Sequence, residues 1–86
     1  MATNSSSEIC GNHPSNVVMR YLEEINRVEG KNLRIPIARK MFEFIVEKKE
    51  FFFQFPRFMH VVRVKLMDFY NNEDWSEALI FYEQLF

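Results

Sequence analysis

Residues 36–58, PIARKMFEFIVEKKEFFFQFPRF, limit what this chain can fold into more than any other stretch. They hold seven of the ten phenylalanines: Phe42, Phe44, Phe51, Phe52, Phe53, Phe55 and Phe58. Pro36 and Pro56 stand near the two ends, and proline fits the first turn of a helix, where its missing N–H is not needed. The pattern predicts an amphipathic helix over 36–50 that runs into the block 51–55. That block is too short to span a bilayer and too apolar to stand uncovered in water. No second strand-like segment exists to pair with it, so it reads as a helix end followed by a tight, buried connection.

The flanking segments have the patterns needed to cover it. Over 14–29, Val17, Val18, Tyr21, Leu22, Ile25 and Val28 fall in the i, i+3, i+4 rhythm of one helical stripe. Gly30 is placed to cap that helix in a left-handed conformation. Arg20–Glu24 and Glu23–Arg27 have the spacing of surface ion pairs. Residues 30–35 read as a turn. In the helix from Pro36, Ile37, Ala38, Met41, Phe42, Phe44, Ile45 and Val46 cover an arc of about 200°, which predicts contact with more than one neighbour. The third helix, 56–70, is apolar almost all round, the mark of a central, buried element. His60 reads as a partly buried structural histidine. Asp74 and Glu77 have the spacing of a capping box for a last helix carrying Ala78, Leu79, Phe81, Tyr82, Leu85 and Phe86. That pattern is still running at Phe86, which reads as a fragment or as a helix completed by a partner. The expectation is therefore an all-α domain over 14–86. Its four helices would form two helix–turn–helix units, either a short α-solenoid or a compact bundle. Residues 1–13 are polar and aperiodic and are expected to be a disordered tail.

The two halves echo each other. Residues 37–46, IARKMFEFIV, align with 77–86, EALIFYEQLF, at an offset of 40 residues. Ala38 meets Ala78, Met41 meets Phe81, Phe42 meets Tyr82, Glu43 meets Glu83 and Ile45 meets Leu85. Fixed periods of this size mark helical solenoids; two amphipathic helices also share such a pattern without being repeats. Residues 74–85, DWSEALIFYEQL, resemble the second helix of a tetratricopeptide-type repeat: an aromatic, then Ala, then an aromatic further on. Ala38, Met41, Phe42 and Glu43 look like a worn copy, equally similar to a pentatricopeptide-type unit. The resemblance covers about 50 residues and implies a helical repeat that binds proteins or, for the second family, RNA. Leu66 and Leu85 stand where the tetratricopeptide pattern has small residues, and the offset exceeds that family's period of roughly 34. The family's ligand-contacting residues are therefore not carried over.

Charge is segregated along the chain although the net charge is −1. Residues 31–65 carry nine basic and three acidic side chains, whereas 66–86 carry five acidic and no basic ones. Such runs are solvated faces or a basic surface. Cys10 is the only cysteine, which leaves no internal disulfide and no thiolate cluster for zinc. The N-terminus has no secretory pattern, and no apolar run approaches the roughly 20 residues of a transmembrane helix. A cytoplasmic or nuclear location is the expectation. With two glycines there is no phosphate-binding loop, and neither His-Glu-x-x-His nor Cys-x-x-Cys spacing occurs. No cofactor, metal or enzymatic role is read from the chain.

Three binding functions remain. A protein-interaction module would use Phe51, Phe52, Phe53 and Phe55, or Tyr82, Leu85 and Phe86, to hold a protein or peptide or further repeats of a longer chain. An RNA-binding repeat would use Arg39, Lys40, Lys48, Lys49, Arg57, Arg63 and Lys65, with aromatics for stacking. A membrane-surface role would use FFFQFPRF beside Lys48 and Lys49.

Overall fold

The computed structural model describes residues 13–86. Five α-helices follow one another: α1 Pro14–Arg27, α2 Lys31–Glu47, α3 Lys49–Phe52, α4 Pro56–Asn72 and α5 Ala78–Leu85. No strand occurs among the described residues. The all-α expectation holds, with five helices in place of four. Residues 1–12, including Cys10 and nearly all of the expected tail, lie outside the described residues.

Each boundary has a local cause. His13, expected in the tail, caps α1: its Nδ1 accepts from the Ser15 amide at 3.2 Å, and Pro14 occupies the first turn. Helix α1 stops at Arg27, two residues early, because Val28 is extended. Gly30, at φ +92°, then opens α2 rather than capping α1. Nothing lies within 4 Å of where its Cβ would sit, so only the backbone conformation calls for glycine there. The expected turn at 30–35 is helical instead, and Pro36 sits inside α2. Proline disfavours a helical residue before it and gives no N–H to the Asn32 carbonyl. Tertiary contacts override that preference: Ile35 packs on the core, and Arg34 Nη1 donates to Glu73 Oε2 at 3.1 Å.

Lys48 breaks the next helix at φ −107°, ψ 28° and leaves Lys49–Phe52 as a single separate turn. Phe52 is 1% exposed, wedged between Phe44 and Phe58. Phe55, at φ −122° and ψ 85°, leaves the helical region ahead of Pro56, and Pro56 begins α4. The connection is thus half buried rather than buried, since Phe53 and Phe55 face solvent.

The expected capping box at Asp74 and Glu77 does not form. Asp74 takes a left-handed φ of 60°, and the Glu73 and Trp75 amides both donate to the Phe69 carbonyl, at 3.1 and 3.2 Å. Asp74 thereby does at the end of α4 what glycine does at many helix ends. Helix α5 starts only at Ala78, after a turn of i→i−3 bonds such as Ala78 N–H to Trp75 O at 3.2 Å.

Helix α1 packs on α2, α4 packs on α5, and α2 packs on α5. Short α3 bridges α2 to α4. Helices α2 and α4 share the centre: Ala38, Met41, Phe42 and Ile45 of α2 and Met59, Val62, Leu66 and Phe69 of α4 are all buried. The molecule measures 45 × 30 × 18 Å. That thickness is about two helix diameters, so each long helix keeps a solvent side. On α4 this side exposes Val61 (49%) and Val64 (53%). The core centres on four rings. Phe42 of α2 meets Phe69 of α4 edge-on at 6.2 Å, Trp75 of the α4–α5 loop stacked at 6.0 Å, and Phe81 of α5 at 5.9 Å.

Phe42→Ala is expected to cost about 3–5 kcal/mol, the usual penalty for emptying a buried aromatic site. Leu79→Ala, on the exposed side of α5, is expected to change stability by no more than about 0.5 kcal/mol. Urea melts of the two variants check this, and equal midpoints would displace Phe42 from its central role. Asp74→Gly is expected to be near neutral, whereas Asp74→Val adds about 1–2 kcal/mol of left-handed strain. Thermal melts that rank the two variants the other way would overturn the role given to Asp74.

Candidate functional site

Proline 56 starts α4 beside the C-terminal end of α5, and a shallow groove of about 450 Å³ opens between them. Its apolar lining comes from three places in the chain: Phe53 after α3, Pro56 and Met59 on α4, and Leu85 with Phe86 at the end of α5. His60 and Arg63 supply the polar side. The two large rings at the groove are exposed, Phe53 at 48% and Phe86 at 42%. Arg63 holds its guanidinium over the Phe86 ring, 5.1 Å from the centroid. No Asp or Glu side chain lines the groove.

The groove joins parts of two separate sequence expectations. Phe53 comes from the phenylalanine block, and Leu85 and Phe86 come from the last helix. The other aromatic candidates divide by position. Phe52 is core and does not face solvent. Phe51 is half-buried between His13, Phe52 and Phe55, with ring centroids 5.2–5.5 Å away. Phe55 is exposed but lies outside the groove. Tyr82 is half-buried and packs its ring 5.0 Å from Phe86. Leu85 is buried and forms part of the groove wall.

The basic candidates also separate. Arg39 is occupied: its Nη2 and Nε donate to Glu77 Oε1 at 2.6 and 3.0 Å. Lys40 lies beside Glu43 and Glu47 around a second concavity. Lys48 and Lys49 sit among Glu47 and Glu50 at the α2–α3 break. Lys65 is half-buried on the other flank of α4, against the crevice lined by Leu22 and Phe42. Only Arg57 and Arg63 face solvent in a stretch without acids, since 56–67 contains no Asp or Glu. The intrahelical pairs expected on α1 do not form. The ion pairs among the described residues, Arg34–Glu73 and Arg39–Glu77, instead tie α2 to the segment around Trp75.

Sequence reading missed Pro56, Met59 and His60. His60 is exposed at the groove rather than structural and buried. Its signal was the i, i+3 spacing of Arg57, His60 and Arg63 on α4, which gains meaning only once α5 is known to lie alongside. Among the described residues, no group of three or more His, Cys, Asp or Glu is arranged to hold a metal ion, and no helix is long and apolar enough to cross a membrane. Comparison with models of known protein families, with curated proteins and with solved structures finds no match.

Glu77 is the one described group whose titration is clearly displaced. Hydrogen bonds from Arg39 and then from the Trp75 indole, at 3.0 Å, favour its charged form and hold its pKa below the usual carboxylate value. A carboxyl with a lowered folded pKa stabilises the fold fully above its unfolded pKa, about 4.3, and loses that contribution as pH falls through the folded value. Denaturation midpoints of the native chain are therefore expected to exceed those of Glu77→Gln at pH 6 and to converge with them towards pH 3, with the loss starting at roughly 4.3. Parallel curves would mean that the clasp carries no pH-dependent stability.

Proposed function

We propose that the chain is a non-enzymatic protein-interaction module whose docking site is the groove between α4 and α5. One observation carries this reading: Phe53 and Phe86, distant in sequence, lie exposed on the same groove with Arg63 held over one of the rings. Exposed aromatics and arginine are the side chains that supply most binding energy at protein interfaces. A shallow apolar trough beside a helix suits an amphipathic partner segment laid into it. The arrangement of α1 with α2 and α4 with α5 as two helix–turn–helix units belongs to the same reading. It draws support from matching burial at the 40-residue offset, where Ala38 and Ala78, Met41 and Phe81, and Ile45 and Leu85 are all buried. An intracellular setting fits a chain with one cysteine and no disulfide.

RNA binding is the weaker reading. Of its seven candidates, Arg39 is spent on Glu77 and Lys40, Lys48 and Lys49 lie among glutamates. Too few free cations remain to track a phosphate backbone.

The test is the pair Phe53→Ser with Phe86→Ser. Both rings are half exposed, so circular dichroism is expected to stay unchanged. Quantitative affinity purification is expected to recover a set of partners with the native chain and to lose it with the double variant. A partner set unaffected by both substitutions would remove the groove as the docking site.

A further inference from the structure

Building on the reading of the groove as a docking site, we infer that its occupant is an acidic amphipathic segment. An aromatic or branched aliphatic side chain sits between Phe53 and Phe86, and a neighbouring carboxylate pairs with Arg63.

Charge selects this partner. Arg34 is paired with Glu73 and Arg39 with Glu77, and the cations of 40–50 share their stretch with Glu43, Glu47 and Glu50. On α4, Arg63 at the groove and Arg57 just outside its lining have no ion-pair partner among the described residues, and no acid lies between 56 and 67. Glu83, on the exposed side of α5, does not line the groove. The site therefore presents positive charge beside apolar surface, and a basic segment would meet like charge well within a Debye length.

Arg63 is also pre-positioned. The Phe86 ring beneath it orders the guanidinium without neutralising it. The planar fork remains free to take a carboxylate through two parallel hydrogen bonds, with part of its ordering cost already met within the fold. Between the rings, the Met59 thioether and the Leu85 side chain give an adaptable apolar wall for an anchor residue. That wall favours a side chain over a stacked base, which needs a flat aromatic platform and a longer phosphate track.

A displayed library of short random peptides, selected on the native chain, tests this. Selections on Arg57→Gln with Arg63→Gln, and on Phe53→Ser with Phe86→Ser, run beside it, together with anisotropy of a labelled oligo-uridine. Enriched peptides are expected to combine Asp or Glu with an aromatic or branched aliphatic residue and to bind more weakly as salt rises. Replacing the two arginines is expected to weaken them roughly ten- to a hundredfold, the value of a charge-assisted hydrogen bond. Neutral or basic peptides whose binding still requires Phe53 and Phe86 would overturn the acidic partner and leave the docking site standing. No enrichment that depends on those two rings would overturn both. Oligo-uridine binding lost in both double variants, without peptide enrichment, would also overturn both and give the groove to nucleic acid.

Discussion

Everything in this fold turns on the junction of Phe42, Phe69, Trp75 and Phe81. The four rings come from α2, α4, the α4–α5 loop and α5, and the centroids of those in contact lie 5.7–6.2 Å apart. Rings at this separation add favourable edge and offset contacts to the large apolar area they remove from water. Without this junction, α1–α2 and α4–α5 would each be a helical pair with an open apolar side, too small to be stable alone.

The polar contacts around that junction follow from it. Trp75 is buried, and its indole N–H needs an acceptor, which Glu77 supplies at 3.0 Å. Glu77 then draws Arg39 of α2, while Arg34 reaches Glu73 across the same seam with its guanidinium 5.9 Å from the Phe69 ring centroid. Two ion pairs thus close over the aromatic core at its solvent edge. Glu73 and Glu77 are thereby turned towards α2, and Arg57 and Arg63 on α4 have no ion-pair partner among the described residues.

Much of this was legible in the residues. The stripe on α1, the wide apolar arc on α2 and Pro56 at the start of α4 all follow from spacing alone. The misreadings have physical causes. Pro36 read as a start because local sterics say so, yet Arg34 and Ile35 had partners far along the chain that hold another turn and a half of helix before it. Asp74 and Glu77 read as a capping box because the spacing is right, but Asp74 is left-handed and Glu77 serves Arg39 and Trp75. Helix α4 read as buried on all sides because its composition is apolar all round. Composition could not reveal that the molecule is only about two helices thick and leaves Val61 and Val64 in water.

By itself the sequence determined an all-α chain, its approximate helices and the need to cover a phenylalanine block, since helical periodicity and side-chain polarity are local properties. Only the tertiary structure decided which phenylalanines are core and which are surface. Phe52 and Phe53 are neighbours with the same side chain, yet one is 1% and the other 48% exposed. The break at Lys48 sets the rotation of α3, and that rotation turns one ring inward and the next toward α5. The placement of Phe53 beside Phe86 and Arg63 is likewise a matter of packing between distant segments, which no spacing along the chain encodes.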